Sequence, residues 1–268
     1  MRDRAWRFLA LAVLVPLPAL AGADVRPVDD EGWCREDGGG DRDRHCEVRE
    51  ARLPEGGVLA VDARPNGGIE VRGWDRNEVR LRVKVVAQGD DEAAARETAG
   101  EVRVETTGTI RAVGPARDHG RSWWASFRLD VPRGAGLRLQ ADNGGLHLSG
   151  LAGDVEVHTV NGGVHLEAMG GHVRGETVNG GVHVELSGRG WQGQGMDLRT
   201  TNGGLHLAIP ADYDARLEAS TVNGGVHSDM AGTMRGRNTG GRIATDLGRG
   251  GALIHVETTN GGLHVQRR

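Results

Sequence analysis

The stretch Thr177-Val178-Asn179-Gly180-Gly181-Val182-His183-Val184 decides the fold, because close variants of it recur along the chain. Asn-Gly-Gly occurs seven times, and a degenerate copy, Asn-Thr-Gly-Gly, begins at Asn238. The seven exact copies begin at Asn66, Asn143, Asn161, Asn179, Asn202, Asn223 and Asn260. Self-similarity at a spacing of roughly 20 residues is typical of repeat proteins, in which each copy is one structural unit.

The residues that flank the tripeptide repeat as well. A threonine stands two positions before the asparagine in five copies, at Thr159, Thr177, Thr200, Thr221 and Thr258. An aliphatic residue stands three positions after each asparagine, and a histidine follows it in six copies, at His147, His165, His183, His206, His227 and His264. Apolar and polar residues alternate in these segments, as in Val164-His165-Leu166-Glu167, which indicates a β-strand with one buried face.

Two all-β architectures are compatible with strands that are joined by Asn-Gly-Gly. We expect each tripeptide to form a tight turn in which glycine supplies a positive φ. Asn-Gly between alternating strands is also a hairpin signal, so an antiparallel meander is one possibility. In a β-solenoid, equivalent residues of successive units instead lie above one another, in columns with a spacing of about 4.8 Å. The recurrence of Asn, Thr and aliphatic positions favours the β-solenoid of stacked strands.

The N-terminus has the features of a signal peptide. Three arginines lie within the first seven residues, and an apolar run of 13 residues, from Phe8 to Leu20, follows. A run of this length is too short to span a bilayer, and the small residues after it suit a cleavage site. We therefore predict a signal peptide at residues 1–23 and export to the periplasm, the cell surface or the medium. After cleavage no transmembrane segment is expected.

The rest of the chain divides into three predicted segments. Residues 24–46 are acidic and rich in glycine, and residues 47–140 form a looser N-terminal β region. This region contains one short helix, near Asp90–Thr98, where good helix formers follow an aspartate that can cap them. Residues 141–268 contain the regular repeats and are predicted as the solenoid proper.

Composition narrows the class of protein further. The 45 glycines among 268 residues, with aromatic residues at 3%, suit many tight turns around a thin core of valine and leucine. The two cysteines, Cys34 and Cys46, are predicted to form a disulfide in an oxidising compartment.

Residues 1–23 carry three arginines and one aspartate, so their removal changes the formal net charge from −4 to −6. A mildly acidic chain lacks the basic surface that nucleic-acid binding requires, so nucleic acid is not an expected partner.

The chain resembles a group of exported bacterial β-strand-repeat domains of unknown function, the "putative adhesin" family. The resemblance rests on the serial Thr-Val-Asn-Gly-Gly-Val-His units, on Leu-Asp-Val-Pro at 129–132, and on Leu-Ser-Gly-Leu-Ala-Gly-Asp-Val at 148–155. It covers about residues 50–268 and implies a solenoid-like domain without established catalytic residues. The family commonly has Asn-Gly-Asp where this chain has Asn-Gly-Gly, and the histidines are not a family feature.

The six repeated histidines are the candidate site residues. If the strands stack in register, the imidazoles form a column on one outer face, and neighbouring rings could share Zn²⁺ or Cu²⁺. Acidic side chains on the same face, Glu167, Glu185 and Asp229, could assist as ligands. The other interpretation is an outward polar position that was copied when the repeats duplicated.

The sequence favours a binding protein over an enzyme. It contains neither Gly-x-Ser-x-Gly nor His-Glu-x-x-His, and no pair of carboxylates is evident at one point of the repeat. Trp123, Trp124 and Trp191 could stack on sugar rings or could close the core. We predict a non-enzymatic, adhesin-like scaffold of the cell envelope that needs no cofactor and binds a surface glycan or a partner protein. The alternatives are a carbohydrate-active β-helix enzyme and metal binding by the histidine face.

Overall fold

The structure is a computed structural model that describes residues 22–36, 43–116, 120–229, 235–239 and 241–268, with the backbone alone described at 235–239. Nearly all of the predicted signal peptide, residues 1–21, lies outside the described residues. The described chain is built mainly of β-strands, with two helices, which confirms the all-β prediction.

The elements follow one another along the chain as strands with two helical interruptions. They are β1 (Arg26–Val28), α1 (Glu31–Arg35), β2 (Arg44–Pro54), β3 (Val58–Asp62), β4 (Ile69–Trp74), β5 (Glu78–Gln88), α2 (Glu92–Glu101), β6 (Arg103–Glu105), β7 (Thr109–Val113), β8 (Ser122–Pro132), β9 (Gly136–Ala141), β10 (Leu146–Ser149), β11 (Asp154–Thr159), β12 (Val164–Glu167), β13 (His172–Asn179), β14 (Val182–Glu185), β15 (Gly195–Asn202), β16 (Leu205–Ile209), β17 (Ala215–Asn223), β18 (Val226–Ser228), β19 (Arg235–Thr239), β20 (Arg242–Leu247), β21 (Leu253–Asn260) and β22 (Leu263–Arg267).

The strands form two sheets of 11 strands each. The first, which we call the histidine sheet, has the order β1-β2-β5-β8-β4-β10-β12-β14-β16-β22-β18 and carries the six repeated histidines. The second, which we call the threonine sheet, has the order β19-β20-β17-β21-β15-β13-β11-β9-β3-β7-β6 and carries the five repeated threonines. Each Asn-Gly-Gly therefore joins a strand of the threonine sheet to a strand of the histidine sheet.

Equivalent strands of the repeats pair in parallel and in register. In the histidine sheet Val164 pairs with Val182 and His165 with His183, while in the threonine sheet Thr177 pairs with Thr200. The side chains that alternate inward are buried between the sheets, and Val164 and Val182 are 2% and 3% exposed. Each such side chain contributes about 1.5–3 kcal/mol of hydrophobic stabilisation. The regular repeats thus form a pile of two-strand layers around one continuous core.

The first glycine of each tripeptide is required by close packing between layers. A Cβ atom at Gly162, Gly180 or Gly203 would lie 2.0 Å from the carbonyl oxygen of the first glycine in the adjacent layer. The expected positive φ is wrong for the regular copies, since none of their glycines is among the positive-φ residues of the described chain. Glycine is needed here because backbones approach closely, and not because the turn is left-handed.

The threonine and the asparagine of the repeat bind the layers to one another. The Thr177 hydroxyl donates to the carbonyl of Gly162 at 2.8 Å, and Thr200 donates to Gly180 at the same distance. Each asparagine Nδ2 donates to the Oδ1 of the next asparagine in the column, at 2.8–3.0 Å. The buried threonine hydroxyls therefore have hydrogen-bond partners in the adjacent layer, as buried polar groups must. The asparagine side chains form a row of hydrogen bonds from layer to layer.

The layers do not stack in the order of the chain. Strand β21 lies between β15 and β17, and β22 lies between β16 and β18. Asn260 accordingly bonds to Asn202 on one side and to Asn223 on the other. The pile is regular, but the layer of β21 and β22 is inserted between two layers that precede it in the sequence.

The degenerate copy at Asn238 does not form a layer of the pile. It lies at the junction of β19 and β20, which pair antiparallel, with Asn238 opposite Ile243. Strand β20 also pairs antiparallel with β17. This hairpin extends the threonine sheet beyond β17, whereas the histidine sheet ends at β18 within the described residues.

Residues 47–140, predicted as a looser region, contain long and regular strands. Strands β2, β5 and β8 have 11 residues each and pair antiparallel, and β8 pairs in parallel with β4. The predicted short helix is α2, whose N-cap Asp91 accepts a hydrogen bond from the Ala94 amide at 2.8 Å. The first Asn-Gly-Gly belongs to the same pile, because β4 pairs in register with β10.

The cysteines of residues 24–46 form the predicted disulfide, Cys34–Cys46, with a Cα–Cα distance of 5.9 Å. The bond fixes α1, a second helix that the sequence did not lead us to expect, onto β2. Trp33 in this helix is 5% exposed. The disulfide and one buried ring together hold this acidic segment against the histidine sheet.

Candidate functional site: the histidine column

The six repeated histidines form one continuous column on the outer face of the histidine sheet. Strand alternation places them outward, and register places each beside its equivalent in the next strand. In the order of the sheet the column is His147, His165, His183, His206, His264 and His227. Neighbouring rings are stacked, with centroids 4.6–5.6 Å apart and interplanar angles of 6–25°. The column therefore presents the edges of the imidazoles, with their nitrogen atoms, to the outside.

A long open groove runs along the column, with a volume of about 810 Å³. Its lining consists of the six imidazoles, the second glycine of each of the six histidine-bearing repeats, and the aliphatic residue after that glycine in five of them. A Cβ atom at Gly204 would find its nearest neighbour at 3.6 Å, and one at Gly225 would find none within 4 Å. Unlike the first glycine, the second is not forced by packing at these positions, and its missing side chain keeps the groove open.

Burial and neighbouring rings disfavour the charged form of two imidazoles in the column, those of His165 and His206. Burial lowers the pKa of His165, and the charges of His183 and His147 lower it further. Burial likewise lowers the pKa of His206, with further contributions from His183 and His264. A neutral imidazole has a lone pair on one nitrogen and an N–H on the other, so His165 and His206 can each donate and accept a hydrogen bond.

One nitrogen atom in the groove has an unmet hydrogen-bonding capacity. The Nδ1 atom of His206 is buried and has no hydrogen-bond partner in the described structure. Buried polar atoms of this kind are uncommon in native proteins.

The acidic candidates do not all belong to the same cluster. Nε2 of His183 lies 3.2 Å from Oε1 of Glu185, and this hydrogen bond lowers the pKa of Glu185. Glu167 pairs in register with Glu185, so the structure brings together two carboxylates that the sequence did not place at one point. Asp229 is engaged elsewhere, because its Oδ1 accepts from the backbone amide of Arg267 at 2.8 Å.

The sequence did not reveal a second groove that adjoins the first. It has a volume of about 710 Å³, shares His147 and His165 with the histidine groove, and is lined by charged residues. The guanidinium of Arg128 lies 4.2 Å from the Trp33 ring centroid and bonds to Glu70 at 2.7 Å. Glu70 occupies the column position that histidine holds in the other layers. This replacement was the sign in the sequence that the lining changes here from imidazoles to charged side chains.

The tryptophans singled out in the sequence contribute mainly to the interior. Trp123 and Trp191 are 9% and 7% exposed, and each indole Nε1 donates to a backbone carbonyl, that of Pro115 or of Gly171. Trp124 is half-buried beneath the guanidinium of Arg44. Of the two interpretations of these residues, the burial of Trp123 and Trp191 fits core closure.

Comparison with known proteins gave distant structural likenesses. No family model and no curated protein matches the chain. Among solved structures the chain is similar to a "putative cell adhesion protein" from Clostridium sporogenes, with 9% identity, a TM-score of 0.49, and 84% of this chain and 100% of that chain covered.

Two proteins from Parabacteroides distasonis are similar at greater distance. One is a "putative adhesin", with 10% identity, a TM-score of 0.33, and 85% of this chain and 98% of that chain covered. The other is a "putative lipid binding protein", with 10% identity, a TM-score of 0.33, and 84% of this chain and 97% of that chain covered. These likenesses are too distant to assign the chain a family or a function.

Within the described residues, no helix has both the length and the apolar character needed to cross a bilayer.

Proposed function

We propose that this protein is a non-enzymatic, adhesin-like scaffold of the cell envelope, built as a β-solenoid, and that its histidine groove binds an envelope glycan. The observation that carries the proposal is the continuous groove of about 810 Å³ beside six stacked imidazoles. Export is part of the proposal, and the Cys34–Cys46 disulfide supports it because such bonds persist in oxidising compartments.

The solenoid architecture is supported by the pairing of the repeats. Strands of the Asn-Gly-Gly layers pair in parallel in both sheets, whereas a meander would pair them antiparallel. The columns of asparagine, threonine and histidine have the spacing that stacked coils give. A solenoid presents an extended and rigid surface, which suits binding of a linear polymer.

The chemistry of the groove favours a neutral, hydroxyl-rich ligand. The pKa values of His165 and His206 are lowered, so these rings offer hydrogen bonds without a full charge. The glycines beside them leave an uncovered strip of backbone on which the CH faces of a sugar can lie, while most of the aliphatic side chains of these strands are buried. A chain of sugar units can use both kinds of contact repeatedly, since the groove repeats at every layer.

A glycosidase is less well supported, although Glu167 and Glu185 lie on neighbouring strands. Glycoside hydrolysis needs a general acid whose pKa is raised. The hydrogen bond from His183 lowers the pKa of Glu185, which is the opposite direction. Glu185 is therefore better suited to accept positive charge than to donate a proton.

The proposal is tested by filling the groove. Gly204→Leu places a side chain in the groove, and Ser220→Leu places the same side chain on the outer face of the threonine sheet as the control. We expect the full chain and Ser220→Leu to bind purified envelope glycans equally in a solid-phase assay, and Gly204→Leu to lose at least about tenfold in affinity. Equal binding by both variants, or no glycan binding by the unaltered chain, contradicts the proposal. If a partner protein binds the groove instead, glycan binding is absent in every arm.

A further inference from the structure

The six layers that carry histidines differ in the residue two positions beyond the histidine, on the same outer face. In the order of the sheet this residue is Ser149, Glu167, Glu185, Ala208, Gln266 and Asp229. Adjacent layers both carry a carboxylate only at His165 with Glu167 and at His183 with Glu185. The column is uniform in its imidazoles, but at this one place it joins two neighbouring histidines to two neighbouring glutamates.

The potential ligand atoms of three of these residues already lie close together. One ligand atom each from His165, His183 and Glu185 can be chosen so that all three lie within 4.8 Å of one another. Nε2 of His183 and Oε1 of Glu185 are 3.2 Å apart, close to the roughly 3.3 Å between ligand atoms of a tetrahedral Zn²⁺ ion. The third ligand atom, a ring nitrogen of His165, lies within 4.8 Å of both.

The charges at this place favour a cation. Glu167 and Glu185 pair in register, and like charges directly opposite one another are unfavourable in a sheet. Arg268 donates to Glu185 and offsets part of the repulsion. Glu167 makes no ion pair with another side chain in the described part of the chain.

We propose that His165, His183 and Glu185, with Glu167 as a fourth ligand, bind one divalent transition-metal ion of the Zn²⁺ class. Two imidazole nitrogens and two carboxylate oxygens are ligands that Zn²⁺ accepts in tetrahedral geometry. Ca²⁺ and Mg²⁺ select sets made of oxygen alone, so the two histidines exclude them as the preferred ions. The site goes beyond the proposed glycan groove and does not depend on it.

The experiment is titration of the chelator-treated, glycan-free full chain with Zn²⁺ in a calorimeter. We expect one ion per chain, and we expect His183→Ala to weaken binding by at least the roughly 10–100-fold typical of lesser changes around a metal site. His264→Ala is the matched control, because it removes an equivalent stacked ring from a layer that carries Gln266 and no carboxylate. It should keep both the affinity and the stoichiometry.

A second variant separates the site from general effects on the column. Glu185→Gln retains the shape of the side chain and removes its charge, so it should also weaken Zn²⁺ binding while the thermal unfolding midpoint of the Zn²⁺-free chain shows that the fold persists. Co²⁺ provides a spectroscopic readout, since an ion bound in tetrahedral geometry gives visible absorption. Equal loss in His183→Ala and His264→Ala, several weak ions along the column, or no binding overturns the proposal.

Discussion

At the scale of single residues, one backbone carbonyl group in each layer explains two positions of the repeated motif, the threonine and the first glycine. The carbonyl oxygen of Gly180 accepts the hydroxyl of Thr200, and it also lies where a Cβ atom of Gly203 would fall. The next layer therefore needs a threonine at one position and a glycine at another because both face the same oxygen atom. The second glycine of the tripeptide has no such constraint, which is why we connect it with binding.

The same substitution should destabilise the protein at the first glycine of a tripeptide and have little effect at the second. In Gly203→Ala the new methyl group would lie 2.0 Å from the Gly180 carbonyl oxygen, and overpacking of this kind costs about 1–3 kcal/mol or more. In Gly204→Ala the nearest atom is at 3.6 Å, so the free energy of unfolding should change by no more than about 0.5 kcal/mol. Chemical denaturation of both variants measures the difference. Equal destabilisation would show that close packing does not distinguish the two positions.

At the scale of elements, register turns a single outward position into a property of the whole sheet. A histidine on one strand is an ordinary polar residue, but six in register form a continuous row of stacked rings. The pKa values of His165 and His206 are lowered by burial first and by their neighbours second. The column should therefore make the stability of the sheet depend on pH.

We expect the free energy of unfolding to fall as the pH drops below 6.5, the ordinary histidine value. The unfolded chain takes up protons there, while His165 and His206 in the folded chain resist them, so the unfolded state gains stability. The loss from these groups ends once the pH is below their lowered folded values. Denaturation midpoints from pH 7.5 to 5.5, in the presence of a chelator, measure the slope.

The double variant His165→Gln, His206→Gln is the control for this prediction, since it removes the two groups whose pKa is lowered. Its stability should decline less over the same interval. The lowered pKa of Glu185 affects stability only at lower pH, near and below 4.5, so it does not obscure the result. A decline of the same size in the control would assign the effect to other groups.

At the scale of the whole molecule, the order of the layers is the least expected feature. The layer of β21 and β22 lies inside the pile, between β15 with β16 and β17 with β18. Strand β17 is in turn covered in the threonine sheet by the antiparallel hairpin of β19 and β20. The molecule is therefore a single pile in space without being a simple succession of repeats along the chain.

Engineered cysteines test the layer order directly. His206 and His264 lie opposite one another on adjacent strands, about 4.8 Å apart, whereas His227 is one strand further away, at roughly 9–10 Å from His206. A disulfide needs a Cα separation below about 7 Å. The pair His206→Cys, His264→Cys should therefore cross-link on oxidation, and the pair His206→Cys, His227→Cys should not. Mass spectrometry of unreduced peptides identifies the bonds, and the reverse result would mean that layers follow chain order.

The sequence predicted the local secondary structure, but it did not predict the order in which the layers pair. Alternation in segments such as Val164–Glu167 predicted the strands and their buried face, and the capping aspartate predicted α2. The copies at Asn223 and Asn260 have the same motif, so either can pair with the layer of Asn202, and local pattern cannot choose between them. Glu167 and Glu185 were expected on the same face together with Asp229, but only the strand pairing shows that the two glutamates are direct neighbours and that Asp229 is engaged elsewhere.

The inserted layer has a consequence for biogenesis. A ribosome delivers residues 215–228 before residues 253–267, yet the later segment occupies the place between the earlier one and the body of the protein. Vectorial, layer-by-layer maturation therefore cannot complete this part of the molecule as the polypeptide emerges. This end of the stack can be completed only after residues 253–267 have left the ribosome, so its assembly is a late step in folding.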